Sequence, residues 1–291
     1  MMILYFTGTG NSKYVAKRIA DATGESMKSI SKYTGKPVKI ELEEGEKLGI
    51  VTPTYFGGLP SIVREFFERI EINMFQNKEK LEYDVSQGYI VDSRIKNNET
   101  EITEKINDIL SYERPYTYFV ATYGGFSGQI EEYAKEYLDK RNIHIDAAYG
   151  VKMVDNWSPL SNVGNKEKNN RINEKAEDNI DEIISMIKSK EEGSYIKNKI
   201  PEFIVSKIYP KYEKARKTSN LRVEKSCIGC GICEEKCPMN AIKLSEFMSP
   251  IWIKDDCAMC LRCLHSCPTF SIQYKNKTEK HGQYINPNIS V

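Results

Sequence analysis

Eight cysteines are the residues best placed to do chemistry in this 291-residue chain, and all of them fall between positions 227 and 267. They form two runs, Cys227-Ile-Gly-Cys230-Gly-Ile-Cys233-Glu-Glu-Lys-Cys237-Pro238 and Cys257-Ala-Met-Cys260-Leu-Arg-Cys263-Leu-His-Ser-Cys267-Pro268. Each has the form C-x2-C-x2-C-x3-C-P. Thiolates are soft ligands, and four sulfurs around iron are what an iron–sulfur cluster takes. Three cysteines on one tight loop can grip three corners of a cubane, and the proline turns the chain away after the fourth. A zinc site pairs C-x2-C units across a longer spacer, and a disulfide framework belongs to small secreted chains, so neither competes well. The second run starts 30 residues after the first, Cys257 against Cys227, and its flanks keep that offset: Val223 maps to Ile253 and Ile242 to Ile272. The segment is an internal repeat.

These runs resemble the bacterial two-[4Fe-4S] ferredoxin module. In two-cluster ferredoxins the fourth cysteine of a run ligates the other cluster. The resemblance implies one cluster on Cys227, Cys230, Cys233 and Cys267, and a second on Cys257, Cys260, Cys263 and Cys237.

The start of the chain offers a second candidate site. Residues 2–6 are apolar and β-prone and lead into Thr7-Gly8-Thr9-Gly10-Asn11-Ser12, after which Val15, Ile19 and Ala22 share a helical face. A strand, a glycine loop and a helix start make an anion site, because the loop backbone can approach closely and the first helical N–H groups point at the charge. The loop has no P-loop lysine, and Lys13 stands where G-x-G-x-x-G needs its last glycine. A phosphate held by neutral donors suits flavin mononucleotide (FMN). Taken alone, the hexapeptide also reads as an ordinary capped turn.

Two later stretches repeat the pattern. Leu48–Val51 runs into Thr52-Pro53-Thr54-Tyr55-Phe56-Gly57-Gly58, followed by a helical stripe of Val63, Phe66, Phe67 and Ile70. Tyr118–Ala121 runs into Thr122-Tyr123-Gly124-Gly125, followed by Ile130, Tyr133, Ala134, Tyr137 and Leu138. In an open parallel sheet, loops at the carboxyl ends of strands converge on one crevice. Residues 53–58 and 122–125 are therefore expected to join 7–12 around one flavin, with aromatic side chains on its ring and glycine backbone at its polar edge. Any one of the aromatics is equally a packing residue. A bulky side chain at Gly8 or Gly10 is expected to displace flavin and leave the clusters.

At these residues the first part of the chain, to about position 155, resembles flavodoxin. That implies an α/β doubly wound parallel sheet in the order 2-1-3-4-5, with strands expected at 2–6, 26–30, 47–52, 117–122 and 143–149. The whole chain resembles the fused flavodoxin–ferredoxin electron-transfer proteins of anaerobes, and Gly282-Gln-Tyr-Ile-Asn-Pro287 resembles that family's ending. The expected division is a flavodoxin-like domain at 1–155 with an insertion over 73–115, a helical connector at 156–222, a ferredoxin domain at 223–275 and a tail at 276–291. The insertion reads as a packed helix, with a flavin lid or a docking surface as the sharper alternatives.

The length suits two domains of ~100–200 residues, and 40% hydrophobic content permits real cores. No apolar run is long enough for a membrane span, and the opening Met1–Phe6 has no signal-peptide flanks, so a cytoplasmic protein is expected. A net charge of +1 argues against a nucleic-acid binder. Residues 188–225 carry eleven Lys/Arg against five Asp/Glu, which reads better as a solvated helix face than as a docking site. Of the three histidines, His144 is expected in a strand and His265 on a surface loop, with a hydrogen bond to cluster sulfur as the alternative; none of the three, His281 included, has a companion at metal spacing. No general acid or nucleophile is nominated. The residues favour an electron carrier over a flavin-dependent reductase of a quinone or nitro compound, and both over a redox sensor. Redox proteins are the expected partners, and a second copy of the chain is another candidate.

Overall fold

The computed structural model describes residues 2–43, 45–75 and 114–291. The interior of the 73–115 insertion, where the packed helix was expected, lies outside the described residues. In the first module β1 (Met2–Tyr5), β2 (Ser26–Ser29), β4 (Lys47–Pro53), β6 (Tyr116–Tyr123), β7 (Ala147–Lys152) and β8 (Gly193–Tyr195) form one parallel sheet in the order β2-β1-β4-β6-β7-β8. Its first five strands follow the 2-1-3-4-5 arrangement, and β8 adds a sixth. Between them in sequence, β3 (Val38–Glu43) and β5 (Ile70–Phe75) pair with each other in a separate parallel ribbon.

The central strands β4 and β6 are buried along their whole lengths, as expected of strands covered on both faces. Alternation sends neighbours to opposite sides. Leu4, Ile50 and Phe119 meet α2 (Ser61–Phe67) and α3 (Ile130–Asp139) through Val63, Phe66, Ala134 and Leu138. Ile3, Val51 and Val120 meet α1 (Asn11–Thr23) and α4 (Lys166–Lys188) through Val15, Ile19, Ile180 and Ile183. The helix expected as a connector is thus α1's neighbour on the sheet, where Tyr14 donates to Glu177 at 2.8 Å. The sheet and its helical layers run past residue 155 to Tyr195. His144 precedes β7, which starts at Ala147, and is exposed.

Short helices α5 (Glu202–Ile208) and α6 (Pro210–Ala215) lead to the cysteine module. They bury Val205, Tyr212 and Ala215 and leave Lys207, Lys211 and Lys214 exposed. The Tyr212 hydroxyl accepts from Ser61 N–H at 3.1 Å and donates to the Ala258 carbonyl at 2.7 Å, bridging the modules.

The cysteine module contains β9 (Leu221–Val223), α7 (Ile232–Glu235), β10 (Ile242–Leu244), β11 (Pro250–Trp252), α8 (Arg262–His265) and β12 (Ile272–Tyr274). β9 pairs antiparallel with β12, and β10 with β11. The 30-residue repeat carries β9 onto the β11 region and β10 onto β12, so each ribbon takes one strand from each half, related by a pseudo-two-fold. Met239, Ala241, Ala258 and Cys260 pack into the same core as Leu4 and Phe119. Among the described residues, no helix is long and apolar enough to cross a membrane.

At the amino-terminal end of the sheet, Tyr118 lies over Gly49, where a Cβ would stand 2.4 Å from its hydroxyl, and donates to Glu25 at 2.6 Å. Burial raises the Glu25 pKa, opposed by that hydrogen bond and by Lys47. A raised carboxyl contributes stability that is complete below its unfolded pKa of about 4.3 and is lost as pH rises through the folded value. Urea unfolding of Glu25→Gln should therefore gain on the parent chain as pH rises from 4 to 7; a constant difference would contradict the assignment.

Candidate functional site

Above the carboxyl ends of β1, β4, β6 and β7 lies a cavity of about 390 Å³, within the range of ~300–1,000 Å³ usual for cofactor pockets. All three expected loops reach it. Of the residues expected around a flavin, Gly10 and Gly58 lie off its wall. A Cβ on Gly10 would meet Asn286 and Val291 of the tail, and one on Gly58 would meet the Tyr209 ring.

The β4 loop forms a two-residue hairpin, with Tyr55 and Gly58 exchanging backbone hydrogen bonds at 2.9 Å. Phe56 (φ 53°) and Gly57 (φ 83°) both sit in the left-handed region, as this turn requires. For phenylalanine that costs roughly 1–2 kcal/mol. The strained turn sets the Phe56 ring edge-on to Trp157, 5.2 Å between centroids, and 5.7 Å from Tyr212. The Thr54 hydroxyl and the Tyr55 hydroxyl are buried on the cavity wall without a partner among the described residues, which leaves them for a ligand.

At the β1 loop, Thr7 accepts from Gly10 N–H at 3.0 Å, and Ser12 and Thr122 share a hydrogen bond at 2.8 Å. The side chain of Asn11 is engaged within the protein: it donates to Val154 and accepts from Tyr284 and Asn286. Burial lowers the Lys13 pKa, and Arg262 and Lys236 lower it further, so three cations crowd a loop that by itself has only neutral donors. An anion would relieve that repulsion. Orphaned hydroxyls, an aromatic flank and this cationic surround fit FMN, whose phosphate Thr7, Gly8, Thr9 and Ser12 would hold and whose ring the 54–57 turn would meet.

The thiols group as two foursomes. Cys237, Cys257, Cys260 and Cys263 line a void of about 20 Å³. Cys227, Cys230, Cys233 and Cys267 line another of about 20 Å³. Among the described residues, no three Cys, His, Asp or Glu close up tightly enough for a single ion. Thiols set around a void suit a multi-atom cluster instead. Burial pushes Cys257 up to about 12 and Cys233 up to about 11, and raises Cys260 and Cys263 as well. Thiolates in such pockets need nearby positive charge, which iron supplies. At Cys267 burial is outweighed by hydrogen bonds, led by the Thr269 hydroxyl, and the pKa is lowered.

The two pockets differ in surroundings. Cys260 lies on the wall of the first void and also, with Met259 and Leu261, on the wall of the 390 Å³ cavity. In the second, Cys230 is exposed, and Ile228 is 65% and Phe247 84% exposed nearby in the module. The repeat shows the same asymmetry. Gly229 and Gly231 take φ of 67° and 78°, and their equivalents Met259 and Leu261 take 52° and 54°. Glycine is at ease there, whereas Met and Leu each cost roughly 1–2 kcal/mol. Both are almost fully buried against the cavity.

Several wall residues fall outside the expected set: Asp155, Asn156 and Trp157 after β7, Tyr212 from α6, and Met259–Leu261. The loop after β7 had a signal, since it too lies at a carboxyl end of the sheet. The others are brought in by packing between modules. His265 is neither on a surface loop nor bonded to sulfur. It is buried, donates through Nε2 to the Asn156 carbonyl at 2.9 Å, and accepts from Tyr284 N–H at 3.2 Å. Burial pushes its pKa down to about 4, so it is a neutral strut between the β7 loop and the tail.

Comparison with known proteins agrees with this arrangement. A family model described as a flavodoxin domain matches residues 2–86, and one described as a 4Fe-4S dicluster domain matches residues 226–273. One of the subunits of the ion-translocating oxidoreductase complex of Methanosarcina acetivorans is 38% identical over 52 residues, which are 18% of this chain and 19% of that protein. No solved structure matches. The fold and the two kinds of site define an electron-transfer protein. More particularly, the chain is a fused flavodoxin–ferredoxin protein, with the flavodoxin domain at its head and the 4Fe-4S dicluster domain at its tail.

The geometry changes what a substitution at Gly8 should do. A Cβ there would stand 2.6 Å from the Cys260 carbonyl, so Gly8→Ala presses on the cysteine run as well as the loop. Overpacking of this kind costs about 1–3 kcal/mol. Purified Gly8→Ala should lose iron along with flavin; loss of flavin with full iron would show that the loops part freely. Leu261→Gly should relieve backbone strain yet weaken flavin binding, read by flavin fluorescence during dilution, because it removes part of the wall.

Proposed function

We propose that this chain is a low-potential electron carrier of anaerobic metabolism, holding FMN in the 390 Å³ cavity and a [4Fe-4S] cluster in each thiol pocket. The observation that carries the reading is Cys260, which belongs to the wall of the cavity and of one thiol pocket at once. When bound, the flavin takes one or two electrons and each cluster takes one. The three sites stand in series, with the pocket of Cys227, Cys230, Cys233 and Cys267 at the outer end. Exposed Ile228 and Cys230 make that end the place for a redox partner protein to approach.

The chain's own residues do the holding. Phe56 and Trp157 flank the ring site, while Met259 and Leu261 close it on the cluster side and keep water out. Tyr212 fixes the distance between the modules through its two hydrogen bonds. The 52-residue likeness to a subunit of an ion-translocating oxidoreductase complex also supports electron transfer.

Anaerobic purification should yield a brown protein with about eight iron and eight sulfide per flavin, as two cubanes require. Colourless protein, or zinc in place of iron, would end the proposal. Cys267→Ser should remove the outer cluster and spare the inner one, resolved by electron paramagnetic resonance. Loss of the inner cluster alone would refute the crossed ligand sets.

A further inference from the structure

Arg262 belongs to the second cysteine run, between Leu261 on the cavity wall and Cys263 on the inner thiol pocket. Its Nε donates to the Gly8 carbonyl at 3.1 Å, one terminal nitrogen donates to the Thr7 carbonyl, and the other donates to the Lys236 carbonyl at 3.2 Å. Thr7 and Gly8 open the candidate phosphate loop. Lys236 precedes Cys237, the thiol that the first run contributes to the inner pocket. One side chain therefore ties three segments that are far apart in sequence, all of which border the junction between the two cofactor sites.

The chemistry of the acceptors matters as much as their positions. All three are neutral carbonyls, which use the hydrogens of the guanidinium without cancelling its charge. Only a planar fork with several donors reaches three such acceptors at once; a lysine ammonium is a point charge on a flexible stem. The residue is half-buried, so its field is less screened than that of a surface cation.

We propose that Arg262 is the positioning residue of this junction: it pins the phosphate loop to both cysteine runs and sets beside the inner thiol pocket a positive charge that no carboxylate among the described residues pairs. The inference rests on the electron-transfer reading above. A positive charge favours the more negative, reduced state of a nearby cluster, so the inner cluster is held at a higher potential than it would otherwise have. The same fork orders the Thr7–Gly8 backbone that receives the flavin phosphate.

The test is a redox titration of the fully loaded chain, with the clusters resolved by electron paramagnetic resonance and flavin affinity followed by fluorescence. Dithionite, an inorganic one-electron reductant, supplies the electrons. In Arg262→Gln the inner cluster should become harder to reduce by about tenfold in its equilibrium constant, 59 mV for a one-electron couple. The outer cluster should stay in place and flavin should bind at least fivefold more weakly. Arg262→Lys should restore the inner potential but not the flavin affinity, since it keeps the charge and loses the fork. Equal displacement of both clusters, or of neither, would overturn the proposal. If Arg262→Gln does not assemble its clusters, Arg262→Lys decides: flavin affinity equal to that of the unaltered chain overturns it. Failure of the unaltered chain to bind flavin or iron would instead sink the electron-transfer reading.

Discussion

The structure depends on one close approach. The backbone of Gly8 meets the carbonyl of Cys260 with no room for even a methyl group between them. Electron transfer between two centres needs them near one another, and side chains are what usually keep loops apart. Here the loop at the head of the sheet contributes a glycine, and the cysteine loop contributes its backbone. Tyr55 closes the gap from the side, 6.5 Å from the Phe6 ring and 6.0 Å from that of Tyr212. A junction this tight leaves little freedom for the modules to swing, and the shared core of Met239, Ala258 and Cys260 with the sheet is its consequence.

The near-symmetric cysteine module is made asymmetric by that contact. Two halves with the same fold and spacing could present either thiol pocket to the cavity. The choice is made by residues at matching positions: glycines in the first run, Met259 and Leu261 in the second, at the same left-handed backbone angles. Large side chains in that conformation are unfavourable unless they gain elsewhere. Their burial against the cavity supplies the gain, at roughly 1.5–3 kcal/mol for a fully buried Leu or Met. In the first run a Cβ on Gly229 would stand 2.8 Å from that of Met248, so the glycine is kept there by a close approach, and the run faces outward.

Backbone strain and buried polar bridges concentrate around the same place. Phe56 is held left-handed over the cavity, His265 is kept neutral by burial, and the tail returns across the whole chain so that Asn286 N–H donates to the Thr9 carbonyl at 2.8 Å. Neither Phe56 nor His265 sits in its easiest state, and the surrounding contacts determine them. Such local conflicts are expected at functional sites, where geometry for a ligand overrides local preference.

Much of this was legible in the residues. The cysteine spacing determined iron–sulfur chemistry, because three thiols on so short a loop suit little else. The short apolar strand runs, the helical stripes behind them and the glycine loops between determined a parallel sheet with a crevice at its carboxyl edge, since strand and helix periods differ and do not interchange. Several things were not legible. The expected helical connector contains α4, and only packing beside α1 made that helix part of the sheet's cover. His265 carried no sign of its partners, which lie over a hundred residues upstream and in the tail. Which thiol pocket adjoins the cavity is likewise not written in the motif, because the two runs are alike in their cysteines. That was decided by the docking of one module on the other, where the backbone of Gly8, the fork of Arg262 and the walls built by Met259 and Leu261 meet across some 250 positions of chain.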